Sequence, residues 1–310
     1  MKKISIVTGC YNEEENLREL YKQITAVMSQ YEGKYTHEII IADNDSSDLS
    51  PQILRELAEK DKNFKVIFNS RNFGPDRSGY NATMQAHGDA VVTMAADLQN
   101  PPAMIKDFIE KWEQGYKVVM TVKTGSKESS LTYFLRSIYY KTLAGLSDVK
   151  LVPHFTGFGL YDRQVIEILR SLKDPYPYFR GLIADIGFEP AIIEFTQPPR
   201  LHGKSKSNII YLYEEAMLGF TSYTKLPLRL ATIIGFITAV ISFLIGIFYL
   251  IYKLIFWNSF TVGTAPVTIG LFFFASVQLV FLGLMGEYIS MIYIHVLNRP
   301  LVYEKERINF

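Results

Sequence analysis

Between Arg229 and Glu287 the chain carries one charged residue, Lys253. Residues 230–252, LATIIGFITAVISFLIGIFYLIY, are an uncharged run of 23 residues, and residues 267–286, VTIGLFFFASVQLVFLGLMG, are a second of 20. A helix of about 20 apolar residues crosses a hydrocarbon core of about 30 Å. The two runs are rich in Phe, Ile and Leu and predict two transmembrane helices rather than buried helices of a soluble core. The segment that joins them, WNSFTVGTAP, is short and uncharged. Lys225 and Arg229 precede the first run, and Arg299, Lys305 and Arg307 follow the second. The positive-inside rule therefore expects both flanks in the cytoplasm and the short loop outside.

The N-terminal two thirds read differently. Short apolar strands at Ile4–Gly9, Glu38–Ala42, Phe64–Phe68, Ala90–Ala96 and Lys117–Val122 alternate with helical patterns that run to about Ser29, over Ser50–Lys60, Arg77–His87 and Ala103–Gln114. Such alternation predicts an α/β, Rossmann-like, mostly parallel sheet with flanking helices. Asn12 can cap the first helix, whose glutamates suit its positive end, and Asn100 can cap the helix opened by Pro101 and Pro102. There is no GxGxxG after the first strand and no GxxxxGK[ST] anywhere, which excludes the dinucleotide and P-loop readings. A net charge of +1 argues against nucleic acid as a partner. The single cysteine, Cys10, excludes a disulfide framework and reads as a small buried residue. The opening residues, MKKISIVTGCYNEEE, meet acidic residues too soon for a signal peptide, so this part is expected in the cytosol.

Polar clusters follow three of the strands, at Tyr11–Glu13, Asp43–Asp48 and Asp97–Asn100. In a parallel sheet these ends share one edge, where open α/β sheets bind ligands. Asp97 and Gln99 offer a carboxylate and an amide oxygen two residues apart, hard ligands suited to a magnesium or manganese ion shared with phosphates. Alone, an Asp at a strand end is more often a cap; the convergence of three clusters is what points to a site.

ISIVTGCYNEEENL, IIIADNDSSD, SRNFG and AADLQNPP, in that order, resemble family 2 glycosyltransferases of the GT-A fold, and most closely the branch that loads a sugar onto a polyprenyl phosphate. The resemblance runs over most of residues 1–300. It implies that Tyr11, Asn12, Glu13, Asp43 and Arg71 bind a nucleotide diphosphate sugar. It also implies that Asp97 and Gln99 hold a divalent ion, Mg2+ or Mn2+, on the diphosphate, and that the enzyme associates as a homo-oligomer. Relatives often read DADLQDPP, where this chain has Ala95 and Asn100 at the first and last Asp.

Further along, residues 123–130 read either as a flap over the donor or as a plain surface loop, and residues 131–146 either as a core helix or as an interfacial one. In FTGFGLY (residues 155–161) Phe158 stands where relatives often carry an acid, with Asp162 and Asp185 as nearby spare carboxylates; Asp162, beside Arg163, reads equally as a salt-bridged surface residue. A phosphate monoester, with a second pKa of about 6, is already a nucleophile near neutral pH, whereas an alcohol needs a base. The loss at Phe158 therefore suits a lipid-phosphate acceptor. The loop PPRLHGKSKS carries Arg200, His202, Lys204 and Lys206 and reads either as a site for the acceptor phosphate or the donor diphosphate or as a basic loop attracted to anionic lipid heads; the resemblance favours phosphate, with Arg136, Arg200, Lys204 and Lys206 on the acceptor phosphate and Arg200 and Lys204 joining Asp97 as the catalytic set.

The expected organisation is a cytosolic domain over residues 1–206, an amphipathic juxtamembrane helix over 207–226, two transmembrane helices over 227–298 and a cytosolic tail over 299–310. The expected activity is inverting hexose transfer, with UDP-glucose as the expected donor, to undecaprenyl phosphate at the cytoplasmic face of a bacterial membrane. Two alternatives stay open: a glycan hydroxyl as acceptor, and a non-catalytic partner subunit that binds nucleotide sugar.

Overall fold

The structure is a computed structural model that describes residues 1–125, 149, 151–200, 209–224, 226–256 and 264–310. One sheet of eight strands organises the α/β part: β1 (Lys2–Cys10), β2 (Tyr35–Asp43), β3 (Phe64–Asn69), β4 (Ala90–Ala95), β5 (Val118–Gly125), β6 (Phe155–Asp162), β7 (Pro190–Thr196) and β8 (Glu304–Ile308), in the order β7-β5-β6-β4-β1-β2-β3-β8. The pairs β1–β2, β2–β3, β1–β4 and β5–β7 are parallel; β4–β6, β5–β6 and β3–β8 are antiparallel. The sheet is thus mixed. The chain leaves β1 in one direction to β2 and β3, then returns to lay β4 on β1's other side. That reversal makes the β1/β4 boundary the switch point at which such sheets take ligands.

Helices cover both faces, which is why the central strands are apolar throughout. Side chains of alternate parity enter two cores. Ile4, Ile6, Ile39, Ile41 and Val92 face α1 (Glu14–Met28), α2 (Ser50–Lys60) and α4 (Ile105–Glu113). Val7, Ile40, Ala42, Ile67 and Val91 face α3 (Pro75–Met84), α5 (Arg163–Leu172) and α6 (Phe179–Ile186). In α1 the buried Leu17, Leu20, Ile24, Val27 and Met28 recur at helical spacing.

Three local expectations are corrected. Helix α3 ends at Met84, short of His87. Asn12 does not cap α1: Glu13 holds that place, its side chain accepting from Asn16 Nδ2 at 2.7 Å rather than capping a backbone N–H, while Asn12, in the left-handed region at φ 53°, accepts through Oδ1 from Ser47 N at 2.7 Å. Asn100 does not cap either, since its Oδ1 accepts from Ala95 N at 2.7 Å and closes the corner after β4 on itself.

Helix α7 (Ile209–Tyr223) leads into α8 (Leu226–Ile255, 30 residues) and α9 (Thr264–Leu297, 34 residues). Both contain stretches apolar enough to cross a membrane by length and composition, Leu228–Ile245 with mean hydropathy 2.2 and Phe273–Leu297 with 1.6, and neither stretch is buried within the protein. Helix α7 is fastened to the α/β part by the Arg180–Glu215 ion pair and by the Tyr178–Tyr223 ring contact at 5.9 Å. Tyr288 Oη donates to Thr224 O at 2.8 Å and ties α9 to the end of α7. Residues 299–310, set apart above as a tail, return to the sheet: β8 adds to the outer edge of β3.

Candidate active site

A cavity of about 520 Å³ opens at the switch point. Its walls come from the ends of β1 (Thr8, Gly9, Cys10, then Tyr11 and Glu13) and β4 (Met94, Ala95, then Asp97 and Asn100), with Arg200 on one side and the start of α3 on the other. Of the residues expected from the sequence, Tyr11, Glu13, Asp97 and Arg200 line it. Asp43, Asn12 and Gln99 are not among its lining residues.

Asp97 is 7% exposed. Its Oδ1 accepts from Gln99 N at 3.1 Å, and its Oδ2 receives the Arg200 guanidinium at 2.8 Å. Arg200 Nε also donates to Gln99 Oε1 at 3.2 Å, and Gln99 Nε2 to Pro198 O at 3.3 Å. A cation therefore sits on both oxygens expected to hold a metal. Among the described residues no three His, Cys, Asp or Glu side chains gather as a metal site, and Ala95 contributes no oxygen from its side chain. One carboxylate plus one amide still fits magnesium or manganese, because such ions commonly take the rest of their shell from substrate phosphates and water.

The loops after β1 and β2 are stitched together. Asn12 N donates to Ser46 Oγ at 2.8 Å, Glu13 N to Ser50 Oγ at 2.9 Å, and Glu14 N to Asp48 Oδ2 at 3.2 Å; Leu49 N returns a bond to Glu14 Oε2 at 2.7 Å. This explains the run of Ser and Asp in DNDSSD, whose side chains replace regular ladder partners. Asp43, 2% exposed, accepts from Ser46 N at 3.2 Å through Oδ2, while Oδ1 has no hydrogen-bond partner. Burial raises its pKa above the ordinary carboxylate value, and the neighbouring Asp48 and Asp45 add to the rise against the bonds from Ser46. Burial also pushes the Cys10 thiol far up, with Asp43 adding to it, so Cys10 is no nucleophile.

Asn44 is a residue that the sequence reading passed over. It is 3% exposed and accepts from Asn69 Nδ2 at 3.1 Å and Phe73 N at 3.0 Å, while its Nδ2 donates to Asn72 Oδ1 at 2.8 Å and Gly74 O at 3.1 Å. One amide thus fixes the loop that leads to α3, where Gly74 takes φ 86°. The signal was the Asn44/Asn69/Asn72 set after two adjacent strands. Asp76 and Thr93 also line the cavity and were not singled out. Arg71 is not brought in: its guanidinium stacks on Phe73 at 4.0 Å and donates to Asn72 O at 3.0 Å.

On the β6 side, Thr156, Gly157 and Phe158 reach the cavity. Gly157, at φ 86°, presents its carbonyl to the hydroxyls of Thr93 and of Tyr161, the latter at 2.9 Å. Phe158 is 2% exposed and packs edge-on against Phe108 at 4.9 Å and Phe195 at 5.8 Å. Asp162 is corrected from a surface residue to a buried structural one: it accepts from Trp112 Nε1 at 2.7 Å, pairs with Lys117 at 3.2 Å, and caps α5 through Gln164 N at 3.0 Å. Burial would raise its pKa, but these bonds outweigh burial and lower it. Arg136, His202, Lys204 and Lys206 lie outside the described residues.

A cavity at the switch point of a doubly covered sheet, walled by carboxylates, amides and one arginine, is a ligand site of the kind open α/β sheets form. The chain belongs to glycosyltransferase family 2, whose family model, "Glycosyl transferase family 2", matches residues 5–169. It is 35% identical over 301 residues to the uncharacterized glycosyltransferase YkcC of Bacillus subtilis, covering 96% of this chain and 91% of that protein. It is 33% identical over 299 residues to the bactoprenol glucosyl transferase of Shigella phage SfII, covering 96% of each. The uncharacterized glycosyltransferase sll0501 of Synechocystis is 32% identical over 299 residues, covering 96% of this chain and 93% of that one. The protein is thus a glycosyltransferase enzyme.

Proposed function

We propose that this enzyme transfers a hexose, glucose from UDP-glucose, to a polyprenyl phosphate at the cytoplasmic face of a membrane that α8 and α9 span. The acceptor assignment rests chiefly on Phe158. The position that would carry a base for a hydroxyl acceptor is an aromatic residue locked between Phe108 and Phe195. A phosphate acceptor needs no base there, being largely ionised above its second pKa of about 6. Near-full-length likeness to a protein named bactoprenol glucosyl transferase supports the same acceptor and sugar.

In this reading an acceptor phosphate oxygen attacks the anomeric carbon as the bond to the nucleoside diphosphate breaks, with inversion. Arg200 meets the negative charge that develops on the leaving diphosphate, a preorganised charge contact inside a walled cavity. Asp43, with Oδ1 unbonded, suits an N–H of the base. A magnesium or manganese ion held by Asp97 and Gln99 would add Lewis-acid neutralisation of the diphosphate. Arg200 keeps those two oxygens paired in the ligand-free protein. Helices α8 and α9 bring the lipid head to the site, supplying proximity. Lys204, Lys206 and Arg136 remain candidates for the acceptor phosphate, and a homo-oligomer remains the expected assembly.

Asp76, an exposed carboxylate on the cavity wall, favours the alternative of a hydroxyl acceptor. The deciding experiment incubates the purified protein in detergent with undecaprenyl phosphate and labelled UDP- and GDP-sugars, with magnesium or manganese and then EDTA. Labelled lipid from one donor supports the reading. No lipid product from any donor refutes it, and a product that survives EDTA refutes the metal role of Asp97 and Gln99.

A further inference from the structure

The C-terminal strand touches the donor side of the molecule at every turn. Arg77 donates to Pro300 O at 2.9 Å, and Ser70 N to Tyr303 O at 2.8 Å; the Tyr303 ring lies 6.1 Å from Phe73. Asn81 of α3 donates to Glu304 at 2.9 Å. Arg55 of α2 clasps Glu306 with two bonds of 2.6 and 2.7 Å, and Asn309 Nδ2 bonds Ala58 O at 2.7 Å and Phe64 O at 2.8 Å. These partners sit on the loop after β3, on α3 and on α2, immediately behind the cavity wall formed by Asn72, Pro75, Asp76 and Ser78.

Lys305 does something different from its neighbours. Its Nζ reaches the loop after β2 and pairs with Asp45 Oδ1 at 2.7 Å. Asp45 follows the Asp43–Asn44 pair and is held in the left-handed region at φ 65°. From the β1 side that loop is fastened by Asn12 to Ser46 and Ser47; from the outer side the fastening is Lys305. Only six residues separate the end of α9 at Leu297 from the start of β8 at Glu304, so the anchor has little slack.

We infer that Lys305 is a positioning residue for nucleotide-sugar binding: it holds the Asp43–Asp48 loop in its binding shape from the C-terminal strand, and so ties the end of α9 to the donor pocket. This rests on the reading of that loop as the nucleotide site. The pair is exposed, at 54% and 40% for the two side chains, so substitution leaves the core untouched. An exposed pair of this kind is worth a roughly two- to fivefold change in an equilibrium.

The test measures KM for the sugar donor, KM for undecaprenyl phosphate, and kcat for the full-length enzyme, Lys305→Met and Lys305→Arg. Alongside, amide hydrogen exchange is followed at residues 44–48 and 97–100 without ligand. For Lys305→Met we expect donor KM to rise about threefold with kcat and acceptor KM unchanged, faster exchange at 44–48 alone, and recovery in Lys305→Arg. Unchanged exchange at 44–48 together with an unchanged donor KM, or a fall in kcat with unaltered KM, overturns the assignment. Faster exchange at 44–48 without any change in donor KM would leave the loop contact intact and refute the reading of that loop as the nucleotide site instead.

Discussion

Replacing Asp43 by Asn should make the ligand-free protein more stable and the enzyme worse. The carboxylate is 2% exposed, has one oxygen with no hydrogen-bond partner, and has a pKa raised by burial and by Asp48 and Asp45. A folded-state pKa above the unfolded one means that the ionised group opposes folding; the cost is absent below the unfolded pKa and grows as pH rises through the folded value. An unpaired buried acceptor costs about 1–3 kcal/mol, more when charged. Asparagine keeps an oxygen for Ser46 N and removes the charge, so at pH 7 a gain of about 1 kcal/mol follows, roughly 2–4 °C in Tm for a domain of this size. If Asp43 accepts an N–H of the donor base, the same change removes a charged hydrogen bond worth about 1.5–3 kcal/mol, or roughly ten- to hundredfold in donor affinity. Thermal unfolding and nucleotide titration on one preparation read both effects. A lower Tm, or an unchanged donor affinity, refutes the reasoning.

Asp97→Ala should abolish transfer, and Arg200→Ala should cut kcat by about 10²–10³, as expected for one group that meets developing charge; a non-catalytic partner subunit would keep its cellular role in both variants, and complementation of a deletion strain checks this. Phe158→Asp should not create a better enzyme. It buries a carboxylate between Phe108 and Phe195, so the folded fraction should fall, by more than the roughly 3–5 kcal/mol expected for loss of the ring alone, as read by denaturant titration. Glu38, at 1% exposure, should govern acid stability. Burial raises its pKa, but Lys65, Ser5 and His87 N outweigh burial and hold it at about 2, against 4.5 ordinarily. The stabilisation is present above about pH 4.5 and is lost as pH falls toward 2; Tm measured over that range should drop steeply for the native protein and much less for Glu38→Gln. Gly181→Ala would place a Cβ 2.2 Å from the Tyr223 ring and should loosen α7 from the catalytic part, seen as faster proteolysis after α6.

The β-strand and helix alternation, the two long apolar helices and the convergence of three strand ends were legible because each depends on periodicity or on parallel topology. Tyr11, Glu13 and Asp97 reach the cavity for that reason, whereas Arg200 was found through its basic loop. Arg71 does not, because the Phe73 ring two residues on captures its guanidinium, a competition that motif spacing cannot register. The caps at Asn12 and Asn100 failed because each amide oxygen took another backbone N–H, Ser47 N on the neighbouring loop for Asn12 and Ala95 N, five residues back, for Asn100. Asp162 looked exposed beside Arg163, yet Trp112, 50 residues away, takes its carboxylate into the core. Strand β8 was hidden by composition: EKERI is charged, and an edge strand keeps such residues because only one of its sides is paired.

The account turns on the acceptor being a phosphate that needs no base. With a competent sugar donor fixed, transfer to undecaprenyl phosphate is compared with transfer to undecaprenol, the same chain ending in a hydroxyl. The account predicts labelled product from the phosphate and none from the alcohol. Efficient transfer to the alcohol would contradict it and would move the search to a base in the same cavity, beginning with Asp76.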